Sequence, residues 1–270
     1  MKNIFIEENN NRPNYKLFST IPKEEEKEYI RRYSCINFAI LICESFDLKQ
    51  ETFYLAINLF DRFILDKIKR NSFKNINIKL ILLTCIFISS KYEEIYPPLI
   101  DDFLGLFDSF TKNDILTSEN DILKILNFQL HICSPYLFLT KFYSAIFSYN
   151  SDESFLHSAQ FILDLCLIST EFCNHKPSFQ AVICLYITKK IFSYNNIYKQ
   201  KLWTMENEYY TGYSEEEIKN NLKVPIKMIK DFFSGNLFKD FNKTAIFKKY
   251  SDCKFSNVVN HLEILFLNYK

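Results

Sequence analysis

Glycine is nearly missing, at 3 of 270 residues. So little glycine leaves no material for the phosphate-cradling loops of nucleotide-binding enzymes, and neither GxGxxG nor GxxxxGK occurs. Proline is also scarce, at 7 residues. Turn residues are therefore too few for the many short strands of a sandwich or barrel. Neither charge sign dominates: 33 Lys and Arg stand against 32 Asp and Glu, for a formal net charge of +1. That balance offers no general attraction to nucleic acid or to an anionic membrane. Long apolar runs are missing too. The longest, about residues 80–88, is far short of the roughly 20 residues a membrane span needs. The first residues, MKNIFIEENNNRPNYK, have no signal-peptide core. There is no CxxC. The 8 cysteines, at 35, 43, 85, 133, 166, 173, 184 and 253, are scattered. Most sit in apolar periodic segments, which reads as reduced, buried thiols of an intracellular protein. Cys166, Cys173 and His175 lie close in sequence, but their spacing fits no zinc pattern. No metal and no cofactor is expected, and no nucleophile–base set can be assembled into an enzyme site.

What is present points to helices. Hydrophobic residues make up 48% of the chain and charged residues 24%, enough for a packed core. The 28 Phe and 17 Tyr accompany much Ile, Asn and Lys, a set that fits AT-rich codons. Residues 1–20 are polar, with a short helix possible near Tyr15–Ser19. Pro22 followed by Glu24, Glu25 and Glu26 suits a helix start, and that helix runs to about Phe46. A second opens at Gln50. The third, Ile76 to Ser90, is apolar nearly all round and so belongs inside a bundle. Pro97 and Pro98 end it and start a short helix to about Leu106. Thr111 caps a fifth, Asp114 to Leu126. A second set follows: Tyr136–Phe147, Glu153–Glu171 capped by Asp152, Phe179–Ile191 (again apolar all round), Ile197–Tyr209 and Ser214–Phe233. One more helix, Phe238–Tyr250, lies in the tail.

The two all-round apolar helices lie roughly 100 residues apart, each third in a set of five. The expected fold is all-α, with two tandem five-helix domains around buried central helices. The expected divisions are an extension over 1–22, a first domain over 23–131, a second over 132–234, and a C-terminal helix and tail over 235–270.

Several strings carry a resemblance. Ser89-Ser90-Lys91-Tyr92-Glu93-Glu94-Ile95-Tyr96-Pro97-Pro98 resembles the cyclin-box signature of A- and B-type cyclins. Glu51 to Phe63, ETFYLAINLFDRF, is similar to the family's ET-x-x-LA-x-x-x-x-DRF segment. Leu123 to Phe128 resembles the close of the first box. Lys176-Pro177-Ser178 with Ala181, then Thr211-Gly212-Tyr213-Ser214, resemble landmarks of the second box. Phe247 to Tyr250, with Lys254 and Phe255, resembles its exit. The similarity runs from about residue 24 to 260, in order and spacing.

The resemblance implies two tandem cyclin boxes and a non-catalytic regulatory subunit, closest to the G2/mitotic class. Its implied partner is a cyclin-dependent Ser/Thr protein kinase, bound as a heterodimer that reaches the kinase's substrates indirectly. Nucleic acid and membrane are not implied partners. Nucleus and cytoplasm are the expected locations. Lys91 and Glu119 match the family's kinase-facing Lys and Glu, and Tyr92, Leu123 and Phe128 match apolar positions around them. Phe128 also reads as a core residue. Arg32 and Asp61 match an Arg–Asp pair that ties the first helix to the second.

Departures are concentrated in the substrate-docking groove. Where A- and B-type cyclins read MRAIL, this chain has Arg31-Arg32-Tyr33-Ser34-Cys35. Phe38 replaces a Trp, Leu41 a Glu and Lys79 a Gln. The acid that would receive an RxL ligand's arginine is gone, and Arg31 and Lys79 oppose it. RxL docking is expected to be weak, with acidic or phosphorylated motifs as an alternative ligand. Ahead of the box there is neither an RxxL nor a KEN string; Arg62–Leu65 fits RxxL but falls within a helix. A transcriptional cyclin remains an alternative, as does, more remotely, a nucleic-acid-binding cyclin-box factor.

Overall fold

The computed structural model describes residues 2–20, 32–72, 76–107, 109–146, 153–194, 202–237 and 241–267. Helices and 3-10 turns are the only regular elements among them. The chain divides into two compact units, Met1–Ser134 and Pro135–Lys270.

In the first unit, α1 spans Lys2–Glu7 and a 3-10 turn covers Tyr15–Thr20. Five helices follow: α2 Arg32–Ser45, α3 Gln50–Lys69, α4 Ile78–Glu93, α5 Ile100–Leu104 and α6 Lys112–Ile125. The α2 start expected at Pro22 lies outside the described residues. Residues 81–90 of α4 are all buried, and α4 touches each of α2, α3, α5 and α6. A helix surrounded on every side has no use for a polar face, which is why its sequence lacks one. Its entry is fixed by Asn77, whose side chain accepts the Leu80 N–H at 3.2 Å. α6 opens on a reciprocal cap: Thr111 Oγ1 accepts the Asp114 N–H at 3.2 Å, and Asp114 accepts the Thr111 N–H at 2.8 Å.

The second unit contains α7 Pro135–Ile146, α8 Glu153–Cys166, α9 Thr170–Cys173, α10 Pro177–Tyr194, α11 Met205–Thr211, α12 Glu215–Asn220 and α13 Lys223–Phe233. Two more, α14 Ala245–Tyr250 and α15 Val258–Leu267, pack within the same unit. Residues 177–188 of α10 are all buried, against α7, α8, α9, α12 and α15.

Three helices expected as continuous are broken; in the segment expected over Phe238–Tyr250, the described residues form a 3-10 turn at Phe241–Lys243 and the separate α14. The segment to Glu171 stops at Cys166, and Ser169 caps the separate α9 by accepting the Phe172 N–H at 3.3 Å. Ser214–Phe233 divides into α12 and α13, with Pro225 in the first turn of α13. Proline lacks the N–H that an unbroken helix would need there, so the helix restarts with proline near its beginning. Gly212 ends α11 at φ +77°, a conformation glycine adopts without steric cost. The proposed Asp152 cap and the Ile197 start lie outside the described residues. Thr244 caps α14, accepting the Phe247 N–H at 3.2 Å.

Each unit buries one carboxylate on its second box helix, and the same chemistry answers it. Asp61 on α3 takes the Arg32 guanidinium, with one bond at 2.8 Å, and the Tyr15 hydroxyl, also at 2.8 Å. Asp164 on α8 takes the Lys249 ammonium at 2.9 Å and the Tyr250 hydroxyl at 2.7 Å. Both aspartates are fully buried. A carboxylate out of water stays charged only when such partners surround it.

Candidate partner-binding surface

Lys91 sits in the last turn of α4, where a cation complements the helix dipole. Its ammonium pairs with the Glu119 carboxylate of α6 and lies 4.1 Å above the Phe87 ring. The Lys91 side chain is 41% exposed and that of Glu119 14%. On α6, Leu116, Glu119 and Leu123 recur at three- and four-residue spacing and so share a face. The adjacent face carries buried Ile115, Ser118 and Ile122. Leu123 is half-buried, and Tyr92 is exposed.

Phe128 is not a core residue: it is 68% exposed. It follows the end of α6, where Asn127 and Phe128 both take positive φ, +51° and +57°. The Phe128 N–H donates to the Leu123 carbonyl at 2.9 Å and the Asn127 N–H to that of Lys124 at 3.1 Å. That pattern calls for one left-handed residue, Asn127. The second, on a bulky aromatic, costs on the order of 1–2 kcal/mol of backbone strain. Exposure returns little packing energy in exchange.

The chain leaving α4 is held by Glu94. Its carboxylate accepts the Lys49 N–H at 2.8 Å and the Thr52 hydroxyl at 2.5 Å, capping α3 from outside that helix. The Lys49 ammonium donates to the Glu93 carbonyl at 3.0 Å. The chain direction just beyond Lys91 is thereby set. Ile95, Tyr96 and Leu99 follow and are exposed, Tyr96 at 92%, and Leu116 is exposed beside Glu119 on α6. Sequence reading missed these four. The prolines at 97 and 98 were a signal, because they deny this apolar stretch a helix in which to bury.

Arg32 and Asp61 form the bidentate pair described above, and Tyr15 adds its ring 5.3 Å from the Arg32 guanidinium. Of the altered docking positions, Arg31 lies outside the described residues. Cys35 is half-buried, its thiol pushed up to about 11 by burial, so it stays protonated. Phe38 lies tilted against Phe107, the ring centroids 5.4 Å apart; Leu41 is 48% exposed and Lys79 is exposed. In Arg62–Leu65, Arg62 donates to the Gln129 carbonyl at 2.7 Å and Leu65 is buried.

Cys166 and Cys173 are buried, and Cys173 donates to the Leu167 carbonyl at 3.5 Å, while the His175 ring lies against Phe172 and Phe179. Among the described residues, one trio has the donor types for a cation: Glu7, His131 and Cys133. Glu7 and His131 are exposed and approach each other to 3.7 Å. Among the same residues, no helix is long and apolar enough to cross a membrane.

The sequence as a whole matches two family models in tandem. The cyclin N-terminal domain covers residues 1–131, and the cyclin C-terminal domain covers residues 133–263. The chain belongs to the cyclin family. Among curated relatives, this cyclin is 27% identical to Cyclin-B2-1 of Arabidopsis thaliana, over 89% of its own length and 53% of that protein's. It is 28% identical to G2/mitotic-specific cyclin-2 of Medicago sativa, over 82% and 62%. It is 27% identical to G2/mitotic-specific cyclin-B3 of Gallus gallus, over 75% and 50%. The cyclin thus spans about half the length of the curated relatives it matches. Among solved structures, a viral cyclin from herpesvirus saimiri superposes with a TM-score of 0.60 at 21% identity, over 73% of this chain and 83% of that one. The fold is that of a tandem cyclin, and its N-terminal domain carries the whole Lys91–Glu119 surface.

Proposed function

We propose that this cyclin is the regulatory subunit of a cyclin-dependent Ser/Thr protein kinase in cell-cycle control at G2/M, and that it has no active site of its own. The observation that carries this reading is the Lys91–Glu119 pair, with exposed Tyr92 next to Lys91 in the chain and exposed Leu116 on the Glu119 face of α6; Ile95, Tyr96, Leu99 and Phe128 of the same unit are also exposed. The Lys91 end of the pair is 41% exposed, and a partly exposed ion pair is worth about 1 kcal/mol, so opening it to a partner costs little. Once open, the ammonium can donate to a carbonyl, and the carboxylate can accept an N–H, of the partner's backbone. Such charge-assisted bonds fix orientation. The exposed apolar side chains supply the area that anchors the contact. B-type relatives support the cell-cycle assignment.

In this reading the surface holds the kinase's mobile αC helix inward, which completes the Lys–Glu pair needed for phosphoryl transfer. The effect is a population shift: the cyclin binds the active kinase conformation more tightly than the inactive one. Phosphate chemistry remains with the kinase. The complex is a heterodimer, working in nucleus and cytoplasm.

Reconstitution tests this directly. The cyclin is mixed with the cell-cycle kinase subunit of its own organism, and phosphate transfer to histone is followed, with the double variant Lys91→Ala/Glu119→Ala alongside. Activation by the parent and its loss in the variant is the expected result. Activation of a transcription-linked kinase instead would move the cyclin to the transcriptional class. Neither binding nor activation would overturn the reading.

A further inference from the structure

We propose that Arg62 is a positioning residue that holds the Asn127–Phe128 turn and so aims the Phe128 ring at the partner. The inference rests on the proposed kinase-binding role of that surface. Its starting point is a mismatch. Phe128 stands in the left-handed region and 68% in solvent, a combination that folding alone does not reward. The helix-ending pattern accounts for Asn127, and nothing within α6 accounts for Phe128.

An outside contact does. Arg62 lies on α3, one residue beyond Asp61, and reaches the carbonyl of Gln129 at 2.7 Å. That carbonyl belongs to the Gln129–Leu130 peptide, one peptide beyond the one that follows Phe128. The N–H of the same peptide, on Leu130, donates back to the Phe128 carbonyl at 3.1 Å. Fixing this peptide plane therefore holds the C-terminal side of Phe128 through that bond, while the bond from the Phe128 N–H to Leu123 holds the N-terminal side. Arg62 itself is half-buried, and burial draws its pKa down. Its charge is therefore partly desolvated and spent on a neutral carbonyl. Asp61, the adjacent acid, is already satisfied by Arg32 and Tyr15. A ring held in place before binding has less freedom to lose on binding, so its affinity is higher than that of the same ring on a loose turn.

The test is a double-mutant cycle on kinase affinity, measured by calorimetry with the purified cell-cycle kinase subunit. Arg62→Met, Phe128→Ala, their combination and Lys91→Ala are compared, each checked for a cooperative thermal transition. Arg62→Met is expected to weaken binding about tenfold and Phe128→Ala by more. The combination is expected to bind no worse than Phe128→Ala alone, because without the ring there is nothing to aim. Arg62→Met and Lys91→Ala are expected to multiply. If Arg62→Met does not fold, Arg62→Lys, which keeps one donor, is expected to show a smaller loss that also vanishes in the Phe128→Ala background. Unchanged affinity in a folded Arg62 variant, or losses that multiply with Phe128→Ala, overturns the positioning role alone. Unchanged affinity of Phe128→Ala overturns the binding role of Phe128 and the inference with it.

Discussion

Glu119 receives the Lys91 ammonium across the junction of α4 and α6, so the two charges stand ready on one surface before any partner arrives. The pair is worth little to the free protein but much to a desolvated contact. Lys91→Ala or Glu119→Ala should therefore lower the unfolding free energy of the free chain by less than about 2 kcal/mol. The same variants should cost about 2–5 kcal/mol in kinase binding. Urea unfolding and calorimetry on the same preparations separate the two effects.

Phe128 should show the same split more sharply. Phe128→Gly removes a largely exposed ring and relieves a left-handed backbone. Its stability should stay within about 1 kcal/mol of the parent, strain relief offsetting the added freedom of the unfolded glycine. Kinase affinity should fall by about 2 kcal/mol or more. A large loss of stability would show that the ring is part of the core.

The two buried aspartates behave in the opposite way, through folding. Lys249→Met leaves Asp164 without its cation and should destabilise the chain by about 3–5 kcal/mol. Tyr250→Phe and Tyr15→Phe each remove one hydroxyl from a buried carboxylate and should cost about 1–3 kcal/mol. Denaturant melts that show no change for Lys249→Met would mean that the Lys249–Asp164 contact adds nothing to stability.

Glu93 gives the stability a pH dependence. Burial raises its pKa above the ordinary 4.5, with Glu51 adding to the rise. Over the window above pH 4.5 the folded state holds this proton more than the unfolded state does. The contribution of Glu93 to stability therefore falls as pH rises through that window, then levels off above the folded pKa. Glu93→Gln should flatten this slope and be at least as stable as the parent at neutral pH. Asp114 has the opposite sign, being depressed by its Thr111 bonds, and acts below 3.8. Urea midpoints at pH 4.5 to 7 for both proteins check the assignment.

The docking groove is testable by gain of function. A peptide carrying Arg-x-Leu should bind at least about tenfold more weakly than to a B-type cyclin with an acid at the Leu41 position. Leu41→Glu should recover part of the loss, since Leu41 is exposed and a carboxylate there would stay solvated. Fluorescence anisotropy on both proteins gives the comparison. Tight binding by the parent would show that Lys79 and Arg31 do not oppose the ligand.

The central helices were legible because burial on every side removes the polar face, and both Ile81–Ser90 and Pro177–Thr188 follow that rule. Capped starts at Thr111 and Ser214 were legible because a cap is local chemistry. The break before α9 was harder, since no glycine or proline marks Leu167–Ser169. The break at Pro225 had its signal in plain view. The candidate surface was legible only through resemblance, because Lys91 and Glu119 lie far apart in sequence and each alone is an ordinary surface charge. The trans cap by Glu94 and the reach of Arg62 to Gln129 join distant segments. No period or motif announces a side chain that bonds a backbone group elsewhere in the chain.

The two buried aspartates have one more consequence, for synthesis. Asp61 is answered by residues made before it, Tyr15 and Arg32, so its partners have already been translated when it appears. Asp164 is answered by residues made long after it, Lys249 and Tyr250. On the ribosome, the first unit can close its charged centre as soon as its helices emerge. In the second, Lys249 and Tyr250 come some 85 residues after Asp164, and its core becomes complete only when α14 and then α15 have cleared the exit tunnel.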